Sequence, residues 1–175
     1  MTIAIADRAR FGRRPGQGAD AVRAKLSALE SGDTRVLESV WLRAGGCEID
    51  HVLINAAGVF TVTVYEERAR DIHVDHYAMT VNGLAVPHLR QAKFESEQIT
   101  RAIGDHVDFD VPVRACVVLL TGSHEPRVHY EHRPVGVYVL TRADVPRWFT
   151  RQPVALDSNQ VRAAYEIARR LPTPA

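Results

Sequence analysis

Three runs of strand-forming residues, separated by only a few turn formers, set the tightest limit on how this chain can fold. Val36–Leu42, Glu48–Ile54 and Val59–Tyr65 are divided by Ala44-Gly45-Gly46 in the first gap and Asn55-Ala56-Ala57-Gly58 in the second. Parallel neighbours need a crossover of a dozen or more residues, whereas antiparallel ones close through a short turn. These three strands must therefore form an antiparallel meander.

What surrounds the meander is helical at several points. Val22, Leu26 and Leu29 recur at helical spacing over Ala19–Leu29, and Ser31-Gly32-Asp33 provides a stop. Pro87–Ile103 carries Leu89, Ala92, Phe94, Ile99, Ala102 and Ile103 on one side, with Arg90, Lys93, Glu95, Glu97 and Arg101 assigned to the solvent side. Short strands are expected around Ile72–Val74 and Ala78–Val81, ahead of an Asn82-Gly83 turn. Val111–Leu120 is apolar on both alternations, as in a strand covered on both faces, and is expected at the centre of the sheet. Val135–Leu140 reads as a further strand, Ala143–Arg151 as a short helix, and Asn159–Arg170 as a final helix capped at Asp157-Ser158.

The order predicts an α+β fold, a central mixed sheet flanked by helices. Residues 1–18, ending in the basic, glycine-rich Phe11–Gly18, are expected to be a flexible arm, and 19–172 a single domain. The expected core includes Leu26, Val52, Val62, Val117 and Leu119. Trp41, Phe60, Trp148 and Phe149 also fall in apolar periodic segments, which makes them core residues before base-stacking platforms.

Composition narrows function mainly by exclusion. A hydrophobic share of 46% and a charged share of 25% belong to an ordinary globular protein and exclude a disordered or collagen-like chain. The net charge of +1 gives no global field for a polyanion, so any nucleic-acid contact has to be local. Arg13, Arg14, Arg90, Lys93 and Arg101 are the candidates for such a track. Cys47 and Cys116 lack partners at metal-ligand spacing and read as reduced thiols of a cytoplasmic protein. No apolar run reaches the roughly 18 to 20 residues that cross a bilayer. Gly16 and Gly18 are not followed by Gly-Lys-Ser/Thr, which excludes a P-loop. His73, His76 and Glu67 lie close in sequence, as do His124, His129 and His132, but neither group has the fixed spacing of a zinc site, and these read as surface histidines.

One combination is more specific. Ile49-Asp50-His51-Val52, a short turn, Gly58-Val59-Phe60-Thr61-Val62, then Val81-Asn82-Gly83 and a helix containing Leu89-Arg90-Gln91-Ala92 resemble the nuclease-related domain (NERD) family over about Gly16 to Arg170. The resemblance implies a restriction-endonuclease-like fold of the PD-(D/E)xK superfamily, whose members cleave nucleic acid with a divalent cation. Such a site combines an acid on the first helix, an aspartate on one strand, an acid-x-lysine pair on the next, and a glutamine on the following helix. Carboxylates hold a hard Mg²⁺ ion that stabilises the scissile phosphate, while the lysine orients the attacking water.

Matched to that pattern, Asp50 and Gln91 are present. The first-helix acid falls at Ala19, with Asp20 beside it as a shifted substitute. The acid-x-lysine pair falls on Thr63 and Tyr65, so both groups are missing. Alternation gives Glu67 the parity of Thr63, whereas Glu66 needs a bulge to reach that face; Arg68 could stand near the lysine position, but its guanidinium cannot act as a base. The resemblance therefore implies a degenerate, non-catalytic domain that binds nucleic acid or a protein partner, without a cofactor. Two alternatives are an active Mg²⁺-dependent nuclease rebuilt from Asp20, Asp50 and Glu66 or Glu67, and a scaffold module that reuses the fold.

Overall fold

A computed structural model describes residues 17–42, 47–67, 71–121 and 127–171. Within them the chain runs α1 (Gln17–Ser27), β1 (Arg35–Leu42), β2 (Cys47–Asn55), β3 (Gly58–Glu66), β4 (Asp71–Val74), β5 (Met79–Val81), β6 (Leu84–Val86), α2 (His88–Gly104), β7 (Val113–Leu120), β8 (Arg127–Tyr130), β9 (Val137–Thr141), α3 (Val145–Trp148) with a following 3₁₀ turn (Phe149–Arg151), and α4 (Ser158–Ala168). The fold is α+β. Most of the expected N-terminal arm, the Ala44-Gly45-Gly46 turn, Arg13, Arg14, Arg68 and His124 lie outside the described residues.

The meander is present as expected: β1 pairs antiparallel with β2, and β2 with β3. The β2–β3 hairpin closes because Asn55 Oδ1 accepts the Ala57 backbone N–H at 2.8 Å and Gly58 adopts φ +127°. A Cβ at Gly58 would run into the Pro112 carbonyl, whose oxygen accepts the Val59 N–H at 2.9 Å, so the position needs glycine. α2 then carries the chain across to β7, which lies parallel to β3, and β9 lies parallel to β7. The resulting order β1-β2-β3-β7-β9 puts β3 in the middle. The sequence points to Val111–Leu120 for that place. Both strands are sheathed on two faces, and apolar content alone cannot rank two such neighbours.

A second sheet, ordered β6-β5-β4-β8, is not evident as a unit in the sequence. Asn82 and Gly83 turn at φ +50° and +81°, linking β5 to β6 in the two-residue hairpin that this dipeptide favours. β4 pairs in parallel with β8, from a distant part of the chain, a contact that local pattern cannot reveal.

Helices cover both faces of the main sheet. On one side Val22 and Leu26 of α1, with Val145 and Phe149, pack on Leu53, Phe60, Val62, Cys116 and Val118. On the other side α4 and the distal half of α2 cover Ile49, Val52, Ile54 and Val59. The start of α2 packs with β4 and β5 on Ala115, Val117 and Leu119. All five expected core residues are fully buried, distributed over these three clusters. Phe60 and Phe149 are buried as expected, whereas Trp41 and Trp148 are only partly covered. Asp157 caps α4, accepting from the backbone N–H groups of Asn159 and Gln160 while Gln160 reaches back. Among the described residues no helix is long and apolar enough to cross a membrane.

Candidate functional site

The main sheet opens at Asp50. β2 and β3 are paired from Asn55 opposite Gly58 to His51 opposite Val62; the next opposed pair would be Asp50 and Thr63, and there the ladder ends. Asp50 Oδ2 instead accepts the Val64 backbone N–H at 2.8 Å, so the carboxylate stands in for the lost ladder partner. On the other side of β2 the β1 ladder also skips Asp50 and its opposite, Ser39, which takes φ +51°. Alternation changes phase here: Leu37 and Val52 beyond the break and Val40 and Ile49 before it all face the α2/α4 side. A non-glycine residue at positive φ inside a strand is uncommon and costs energy, so surrounding structure must hold it.

Between the opened strand β3 and α2 lies a layer of polar side chains. The Thr63 hydroxyl donates to Glu95 Oε2, and Gln91 Nε2 donates to Glu95 Oε1 at 2.9 Å. Both carboxylate oxygens of a fully buried glutamate are thus engaged by neutral donors. Next along β3, Tyr65 stacks on the ring of His88 with centroids 3.6 Å apart and planes at 15°. His88, fully buried at the start of α2, shares a 2.7 Å hydrogen bond between its Nε2 and Glu67 Oε1. Thr63, Tyr65 and Glu67 alternate on one side of the strand direction and meet His88, Gln91 and Glu95, which follow one another along one face of the helix.

Sequence reasoning missed Glu95 and His88. It places Glu95 with the solvent-facing charges of α2, and burial corrects this: Glu95 has no exposed surface. The signal is available in the spacing. His88, Ala92, Glu95, Ile99 and Ile103 step by four, three, four and four, which is the buried stripe of the helix, with a carboxylate in its middle.

The other anticipated residues are distributed differently. Asp20 is exposed on α1 and lies 3.9 Å from Arg23, on the helix that covers the sheet face opposite to α2. Glu66 is the last residue of β3. Arg90 and Lys93 are exposed on α2, as a contact track needs. Among the described residues, one set of three or more potential metal-ligating groups has its ligand atoms within 4.8 Å of one another, and it contains none of Asp20, Asp50, Glu66 or Glu67. Burial pushes the Cys116 thiol far up, so this cysteine is a packing residue and not a nucleophile.

The Thr63–Glu95–Gln91 unit should contribute measurably to stability. Glu95→Ala leaves the Thr63 hydroxyl and the Gln91 amide to be desolvated without that partner, at about 1 to 3 kcal/mol for each orphaned group. Glu95→Gln, which keeps an acceptor for Thr63, should cost less than Glu95→Ala. Urea unfolding of the two variants checks this, and equal stabilities for Glu95→Ala and wild type would contradict the arrangement.

No family model and no curated protein matches this chain.

Proposed function

We propose that this chain is a nuclease-related domain of restriction-endonuclease-like fold whose hydrolytic centre has been converted into a structural polar layer, leaving a non-catalytic module that binds nucleic acid. Support comes from the position of Asp50 and Thr63 at a break between two antiparallel strands, with α2 crossing to a parallel third strand. The observation that carries the loss of catalysis is the Thr63–Glu95–Gln91 unit. Where the family pattern has a carboxylate, Thr63 presents a hydroxyl, and the nearest buried carboxylate has both oxygens committed to protein donors. Where the pattern has a lysine, Tyr65 lies flat on His88. Asp50 and Gln91 persist as vestigial positions with structural hydrogen bonds.

The rebuilt-nuclease reading draws less support. Glu67 is held by His88 and Asp20 sits beside Arg23, and among the described residues neither belongs to a convergent set of metal-ligating groups. Within the proposal the protein is cytoplasmic and needs no cofactor.

Nucleic acid would be held through exposed cations of α2, with Arg90 and Lys93 as the contacts. Each phosphate contact contributes about 0.9 to the slope of log affinity against log salt on duplex DNA. Fluorescence anisotropy with a labelled duplex, repeated over a salt series, should give weak, sequence-independent binding. Arg90→Ala and Lys93→Ala should each reduce the slope by about 0.9. Absence of binding to duplex and to single strands at low salt would reject nucleic acid as the ligand and leave a protein partner as the occupant.

A further inference from the structure

The two histidine groups that look unrelated in sequence are brought together by the parallel pairing of β4 with β8. Register sets Asp71 opposite Arg127 and His73 opposite His129, and the strands end side by side at Val74 and Tyr130. Just beyond those ends His76 and His132 stack, their ring centroids 4.2 Å apart and planes at 15°. Asp75 Oδ1 lies 2.8 Å from His132 Nδ1 and 3.5 Å from His76 Nδ1. One potential ligand atom from each of the three residues lies within 4.8 Å of the other two, with His76 and His132 exposed and Asp75 partly so.

Backbone contacts fix the frame that carries them. The Asp75 N–H donates to the Ala78 carbonyl at 2.9 Å, the Glu131 N–H to the Val74 carbonyl at 3.0 Å, and the Val135 N–H to the His76 carbonyl at 3.0 Å. The His76 N–H itself donates to Asp75 Oδ1 at 2.7 Å, which aims the carboxylate. The segments contributing the ligands are thus tied to each other independently of the side chains.

We propose that Asp75, His76 and His132 form a binding site for one divalent transition-metal ion of the zinc class. Two imidazoles and one carboxylate are borderline nitrogen and hard oxygen donors of the kind such ions take, at about 2.0 to 2.2 Å per bond. Tetrahedral ligands at that radius stand a little over 3 Å from one another, and the carboxylate-to-imidazole separations already bracket that spacing. Two stacked rings with planes only 15° apart do not both hold one ion in their planes, so binding turns one imidazole about its side-chain torsions to bring its nitrogen lone pair onto the ion. Three protein ligands leave a fourth position for water or an exchangeable group.

A neighbouring set acts as an internal control. His73 and His129 also stack, with centroids 5.0 Å apart, but Asp71 divides its oxygens between them: Oδ2 lies 3.2 Å from His73 Nε2 and Oδ1 lies 3.1 Å from His129 Nε2. That carboxylate bridges two rings and gives no single oxygen on which both converge.

Isothermal titration calorimetry of the untagged, metal-stripped full chain with ZnCl2, alongside CoCl2 followed by visible absorption, tests the site. One ion per chain is expected, with the d–d bands of a low-coordinate cobalt site, and Zn²⁺ should raise the melting temperature. His132→Ala and His76→Ala should each weaken binding by at least about tenfold, the lower range seen even for outer-shell changes. His73→Ala and His129→Ala should leave affinity unchanged. Circular dichroism of each variant establishes that it is folded, and Asp75→Asn should weaken binding in the same way while leaving both rings in place. Absence of binding in the wild type, or affinity retained in the His76→Ala/His132→Ala double variant, would overturn the proposal. Loss confined to His73→Ala and His129→Ala would do so as well.

Discussion

Replacing Phe60 with Ala should destabilise the protein by about 3 to 5 kcal/mol, the range for a buried aromatic whose cavity cannot collapse. Phe60 lies on β3, the middle strand, with no exposed surface. Its ring meets Trp148 edge-on at 5.7 Å and 83°, and Phe149 at 5.3 Å and 81°. The Arg114 guanidinium carbon stands 5.6 Å from its centroid, while Arg114 Nη1 donates to the Ala57 carbonyl at 2.6 Å in the hairpin beneath. Edge-to-face pairs add about 0.5 to 1.5 kcal/mol each beyond area burial, so the substitution removes more than a hydrophobic volume. Collapse is opposed from both sides, because β2 and β7 hold β3 by continuous ladders around this position. Trp148→Ala should cost less, since Trp148 is only partly buried at the rim of the same cluster. Urea denaturation read by fluorescence and circular dichroism measures both. A loss below about 1 kcal/mol for Phe60→Ala would show that this cluster does not anchor α3 to the sheet.

Local chemistry makes much of the fold legible. The meander follows from short turns, the Asn82-Gly83 hairpin from a dipeptide tolerant of positive φ, and the α4 start from Asp157 and Gln160. Legibility fails where the determining contact is distant in sequence. The parallel β4–β8 pair joins His73 to His129 and puts His76 against His132, and neither segment carries a trace of the other in its own pattern. At the polar layer the failure is of a different kind. Glu95 reads as a solvent residue because it is a glutamate, although the helical stripe through Ala92 and Ile99 runs across it. Charge type outweighs periodicity in that assignment, yet a buried carboxylate is tolerated wherever donors such as Thr63 and Gln91 meet it. Asp50 stands out from its motif, but the break in both flanking ladders, with Ser39 at positive φ, has no signature in the residues themselves.

The protein should not cleave nucleic acid in the presence of Mg²⁺ or Mn²⁺. Metal-assisted phosphodiester hydrolysis needs several oxygen ligands with enough negative charge to hold a hard cation, and a group to orient water. Asp50 supplies one carboxylate, and one of its oxygens already accepts the Val64 N–H. Thr63 contributes no charge, and its hydroxyl is bound to Glu95. At neutral pH a tyrosine phenol, with an ordinary pKa of about 10, gives Tyr65 neither the charge of a lysine nor a ready base. Losing one preorganised electrostatic group commonly costs about a hundred- to a thousandfold in rate, so the loss of two should take turnover below detection. The decisive measurement is conversion of supercoiled plasmid and of labelled single-stranded DNA and RNA by protein purified free of host nucleases. The converted-site account predicts rates equal to those of a mock preparation with either metal. Cleavage by the wild type that disappears in Asp50→Ala, while that variant remains folded, would contradict it and would make this an active nuclease with a rebuilt centre.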